Sequence, residues 1–263
     1  MEEKFGLLNS AFTFAIEPQY DELVFMSNFL LKARQDDHWG IINIHGDVIV
    51  PFVYEAIGDF NDHRALVSKN KKCGFVDESG VVIIPLAFSF QESLLNTAVF
   101  KDGYVVVKQK NKSILLDSFG NKINFPGFED IGLPSEGILP VRKNKKWGFA
   151  DLKGKLKIGC IYDQVNPFQN GFAKVKLKKM TGIIDSSGNI VIAPAFEDIQ
   201  EQNNYFITRS EGRTGLISKE GLTILSPEND RIEFLSDKIA SASGDKLLYV
   251  NLQSGKVIWK SKE

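Results

Sequence analysis

Apolar residues in this chain come in short runs, such as Val81-Val82-Ile83-Ile84, Tyr104-Val105-Val106-Val107 and Ile190-Val191-Ile192, separated by polar, glycine-containing segments. No long stretch places apolar residues at a helical 3.6-residue period, so the pattern predicts strands and few helices. Strands apolar on successive residues are buried on both faces. A lone hairpin cannot bury both its faces, so the pattern predicts small sheets that cover one another.

The runs recur at a fixed spacing. An anchor dipeptide stands at Trp39-Gly40 and Trp147-Gly148, with degenerate copies whose second residues are Gly6, Gly74, Ile114, Gly182, Gly215 and Leu248. Successive anchors lie 34, 34, 40, 34, 34, 33 and 33 residues apart, and the longer step places its extra residues near Ser93 to Thr97. Three residues after the anchor comes Asn9, Asn43, Asp77, Asp117, Asp151, Asp185, Ser218 or Asn251, and in most copies a glycine follows three further on. Asp or Asn first and Gly fourth is the chemistry of a turn whose glycine takes positive φ, here closing a hairpin. Proline follows at Pro18, Pro51, Pro85, Pro126, Pro194 and Pro227, where its missing N–H is expected to stop the ladder. Tyr20, Tyr54, Phe88, Phe128, Tyr162 and Phe196 come next in phase, and an acid follows at Asp21, Glu55, Glu129, Asp163 and Glu197.

These residues resemble the bacterial WG (Trp-Gly) repeat proteins. Lys146-Trp147-Gly148-Phe149-Ala150-Asp151, Ile161-Tyr162-Asp163 and Asn170-Gly171-Phe172-Ala173-Lys174-Val175 carry the resemblance, which spans residues 1–263 as one repeat domain of about seven and a half units. The resemblance implies a repeat scaffold rather than a reaction. The expected fold is all-β: tandem repeats of about 34 residues forming a β-propeller-like ring, with an open β-solenoid as the alternative. In a ring, the two terminal half units would complete one blade together.

Composition narrows the function class. Among 263 residues, 32 Lys and Arg face 33 Asp and Glu, a net charge of −1 that argues against a bulk nucleic-acid or membrane-surface binder. Two cysteines supply neither a disulfide framework nor a four-cysteine zinc site. The start, Met1-Glu2-Glu3-Lys4, is unlike a signal peptide, and no apolar stretch is long enough for a membrane helix, so the cytoplasm is the expected compartment. No cofactor or metal is implied. His38, His45 and His63 have no partner at zinc spacing, and Cys73 and Cys160 have no nameable orienting residue for nucleophilic work. The turn acids recur from unit to unit, with Asn or Ser in the remaining copies, where a catalytic group would appear once, so they read as structural.

Charge distribution is the asymmetric feature. Residues 1–62 carry 11 acids and 3 bases, whereas residues 142–179 carry 11 bases and 2 acids. The candidate binding residues are Arg142, Lys143, Lys145, Lys146, Lys153, Lys155, Lys174, Lys176 and Lys178, with Lys174, Lys176 and Lys178 expected to leave one strand face together. The expected function is a non-enzymatic scaffold for a protein partner, an acidic one if the basic segment is the docking patch. A glycan or small-ligand module using Tyr20, Tyr54 and Tyr162 is the alternative, and an enzyme with a central pocket ranks last. Nucleic acid is disfavoured because exposed aromatics do not interleave with the bases.

Overall fold

A computed structural model describes residues 3–27, 29–109 and 112–261. The chain divides into two compact units, Met1–Pro126 with Asp130–Pro134, and Gly127–Glu129 with Ser135–Glu263. The first unit opens with a two-stranded sheet, Phe5–Leu8 and Phe14–Tyr20. Two four-stranded sheets follow: Glu22–Phe25, Leu30–Gln35, His38–Asn43 and Val48–Tyr54, then Ala56–Ile57, Arg64–Lys69, Lys72–Asp77 and Val82–Ser89. A three-stranded sheet of Tyr104–Gln109, Lys112–Asp117 and Lys122–Ile123 completes it. The insertion near Ser93 to Thr97 forms the one short helix among the described residues, Leu94–Thr97.

The second unit repeats the plan. One sheet holds Ile138–Lys143, Lys146–Asp151 and Leu156–Tyr162. Gln164–Val165, Phe172–Leu177, Met180–Asp185 and Ile190–Phe196 form the next, and Asp198–Gln202, Tyr205–Ser210, Arg213–Ser218 and Thr223–Asn229 the one after. Arg231–Phe234, Ile239–Ser243, Leu248–Asn251 and Val257–Lys260 form the last. Neighbouring strands are antiparallel throughout these sheets. The protein is therefore all-β and built of tandem, propeller-like blades. The last sheet draws all four strands from one stretch of chain, and the first sheet holds two.

Successive sheets bury each other's faces, as the doubly apolar strands require. Phe149, Ile158 and Tyr162 of one sheet pack with Ala173, Val175 and Ile184 of the next. Ile183 and Ile192 of that sheet pack in turn with Ile199, Phe206 and Ile217.

The register explains the anchor glycine. Trp147 pairs with Tyr162 and Phe149 with Ile158, so four steps on the outer strand match two on the anchor strand. The same two-residue excess separates the pairs at Gly6, Gly40, Gly74, Gly182 and Gly215. The bulged backbone passes directly over the glycine. A Cβ on Gly148 would stand 2.4 Å from the Ile158 carbonyl oxygen, and one on Gly74 would stand 2.3 Å from that of Ile84. The two anchors without glycine lack this bulge. Next to Ile114, Leu115 and Leu116 pair in simple register with Ile123 and Lys122. Leu248 itself pairs with Lys260, with only one extra residue beyond it. The expectation that proline ends the ladder is corrected at five sites. Pro18, Pro51, Pro85, Pro194 and Pro227 lie inside the outer strands, within the bulges, where no ladder N–H is required.

Candidate functional site

The repeated acids are engaged by backbone. Asp151 accepts from the N–H groups of Lys153 (3.0 Å) and Lys155 (2.9 Å), and Gly154 follows at φ +81°. Asp77 and Asp185 do the same in their own turns. These bonds hold the carboxyls below their usual range. At Asp185 the leading cause is the side-chain amide of Asn189, at Asp77 the hydroxyl of Ser79, and at Asp151 the N–H of Lys155. The acid after the aromatic has a second structural task. It sits between the last strand of one sheet and the first of the next, and accepts from a two-residue turn. Glu55 takes the N–H of Asn70, Glu129 that of Asn144, Asp163 that of Lys178 and Glu197 that of Glu211, at 2.8–3.1 Å. Each donor has positive φ, from 49° to 53°.

The three tyrosines named for glycan binding are core residues. Tyr20, Tyr54 and Tyr162 are 4%, 7% and 4% exposed, and burial pushes each phenol's pKa up. Their rings present no face to a ligand, which overturns that reading. Cys73 is wholly buried, with its thiol pushed up to about 11 and its Sγ donating to the Ser89 carbonyl (3.8 Å). His63 pairs with Glu78 (3.2 Å) and His38 Nδ1 lies 2.9 Å from the Asp36 carbonyl.

The strands that carry the basic segment belong to the second unit, and the structure sorts its side chains into two groups. Several are neutralised. Arg142 pairs with Glu129 (3.7 Å) and lies over the Trp147 ring, Lys146 pairs with Asp163, Lys157 with Asp151 (3.6 Å) and Lys174 with Asp198 (3.0 Å). Among the described residues Lys143, Lys145, Lys153, Lys155, Lys176, Lys178 and Lys179 make no ion pair. The expected alternation of Lys174, Lys176 and Lys178 holds only as far as Lys176. Leu177 pairs with Met180, and Lys178 and Lys179 form the turn between them at φ 49° and 71°. Lys153 and Lys155 flank a different turn, closed by the Gly154 N–H on the Asp151 carbonyl. Lys176, Lys178 and Lys179, with Asp163 and Gln164, line a recess of about 520 Å³. Lys179 was outside the residues singled out from sequence, and the two-residue turn it shares with Lys178 brings it to the recess.

A second cleft, of about 530 Å³, lies between the segment around Asn166–Asn170 and the strand Asp198–Gln202. Of its lining, the sequence reading had singled out Lys174 alone as a binding candidate. Among the described residues no group of three or more His, Cys, Asp or Glu is placed to hold a metal. None of their helices is long and apolar enough to cross a membrane.

The family profile described as "WG containing repeat" matches residues 39–73, 74–112, 117–147, 147–179 and 182–212. No curated protein sequence matches the chain. Among solved structures, a eukaryotic initiation factor is 10% identical, over 98% of this chain and 82% of that one, with a TM-score of 0.52. BamB from Moraxella catarrhalis is 11% identical, over 91% and 84%, with a TM-score of 0.43. The WD40 β-propeller domain of Doa1 is 13% identical, over 100% and 97%, with a TM-score of 0.36. At 10% identity the likeness to the initiation factor bears on the fold alone.

Proposed function

Because this chain belongs to the WG containing repeat family, we propose that it is a non-enzymatic scaffold that binds a protein partner, and that residues departing from the repeat carry the binding. One observation carries this reading. The repeated glycines, tyrosines and turn acids are occupied in building the blades, whereas Lys176, Lys178 and Lys179 are unpaired and gathered around one recess. Like charges held together repel, and an acidic partner surface relieves that repulsion while steering association. The compartment we assign is the cytoplasm, with Cys73 and Cys160 as free thiols.

The test starts from proteins retained by the immobilised chain and eluted by salt, each then purified and titrated against it. At least one acidic protein should bind, with affinity falling as salt rises and at least tenfold weaker for the Lys176→Gln, Lys178→Gln, Lys179→Gln variant. Equal affinity of wild type and variant for every retained protein would overturn the assignment to this recess.

A further inference from the structure

The Asn166–Asn170 and Asp198–Gln202 cleft arises from a local departure in the repeat. Four residues before the strand that leads into the anchor strand, three sister sheets place Phe60, Phe100 and Phe168, and three more place the apolar Met26, Pro134 and Leu235. Phe100 and Phe168 are buried and meet Phe75 and Phe149 edge-on, at 5.0 and 4.7 Å between ring centroids. The equivalent residue here is Glu201. The core stays filled because Phe206 stands where the sisters have Ala65, Val105 and Ala173, and it packs edge-on against Phe172 at 5.4 Å. The exchange moves the aromatic plug from loop to strand and leaves the rim polar.

The rim's charges are already paired. Lys174 holds Asp198 (3.0 Å), and Lys219 holds Glu201 (2.5 Å) while covering the Phe206 and Phe172 rings at 4.2 and 4.7 Å. Its amides are open. Asn166, Gln169, Gln202, Asn203 and Asn204 make no side-chain hydrogen bond among the described residues, while Asn170 donates to Glu201 and Gln200 to Asp198. Carboxamides offer both a donor and an acceptor, as a peptide unit does, and no free charge favours an ionic ligand. Asp198–Gln202 is the first strand of its sheet, paired on one side only, by Tyr205–Ser210. It is five residues long, where the corresponding strands Glu22–Phe25 and Arg231–Phe234 have four and Ala56–Ile57 and Gln164–Val165 have two. Sugars favour an exposed aromatic plane, and Phe206 is 1% exposed.

The geometry points to this cleft as a binding site for an extended, uncharged peptide segment, which adds to the edge of Asp198–Gln202 and is read by the surrounding carboxamides. The inference rests on the scaffold reading but not on the lysine recess. Failure here leaves the salt-dependent partner of that recess untouched, and the lysine variant leaves this cleft intact.

The experiment records the side-chain NH₂ signals of the full chain by ¹⁵N NMR while acetyl-(Gly-Ser)₃-amide is added, with cellohexaose as the parallel probe. The peptide should shift the signals of Asn166, Gln169, Gln200 and Gln202 in a saturable way. In Gln200→Ala, Gln202→Ala, whose substitutions lie on an exposed rim and whose backbone spectrum reports folding, the response should be about tenfold weaker for the one or two hydrogen bonds lost. No shift up to the peptide's solubility limit, an undiminished response in the variant, or a saturable response to cellohexaose instead of the peptide would each overturn the assignment.

Discussion

Gly148 shows how one residue records the path of another strand. It needs no unusual φ. It needs the absence of a Cβ, because the bulge in Leu156–Tyr162 brings the Ile158 carbonyl over it. Gly148→Ala should therefore destabilise the protein by about 1–3 kcal/mol in urea unfolding, the cost of forcing an atom into a packed contact. The recurrence of Trp-Gly was legible in the sequence. Its cause was not, because the bulge lies about ten residues downstream and is a property of register. The turn acids were legible in full, since Asp first and Gly fourth carries its own mechanism. Their carboxyls are held low in the folded protein, so the stabilisation is fully present above about pH 4, the unfolded carboxylate value, and is lost as pH falls through the folded value. Replacing Asp77, Asp151 and Asp185 together by Asn, which the chain itself uses at Asn43, should flatten the acid limb of a stability–pH curve. A limb as steep as the wild type's would contradict this account of the turns.

At the scale of the strand and hairpin, blades are held by side chains reaching across sheets. Phe168 leaves a loop to meet Phe149, and Phe168→Ala should cost about 3–5 kcal/mol, measured by urea unfolding. The strands themselves were readable from apolar runs, and the helix at Leu94–Thr97 fell within the insertion the spacing had marked. Two features were not readable. Proline predicts a lost N–H but not whether the strand stops or bulges around it, and Pro51 and Pro194 take the second course. The turn at Lys178–Lys179 places two lysines at positive φ, and lysine gives no such signal, whereas Asn170-Gly171 advertises its turn. Lys178 was consequently assigned to the strand face that ends at Lys176.

On the scale of the whole molecule, repetition separates what folds the chain from what distinguishes one unit from another. Residues present in phase in most units build turns, bulges and cores. The departures are local: Glu201 in place of a phenylalanine, the paired lysines of residues 142–179, and the unpaired trio at Lys176, Lys178 and Lys179. The basic segment was visible as a run of charge, but its division into paired and free members depends on which acids the fold brings near, and Asp163 comes from the link between two sheets and Asp198 from the first strand of the next sheet. The central claim is that the departures bind and the repeated residues fold. Its most direct measurement is a titration of one purified partner, retained by the wild-type chain, against two variants in parallel. Lys176→Gln, Lys178→Gln, Lys179→Gln should keep the wild-type melting curve and lose at least tenfold in affinity, while Asp151→Asn, Asp185→Asn should keep the affinity and change only the acid limb of stability. Unchanged affinity in the lysine variant, or lost affinity in the well-folded aspartate variant, would contradict the claim.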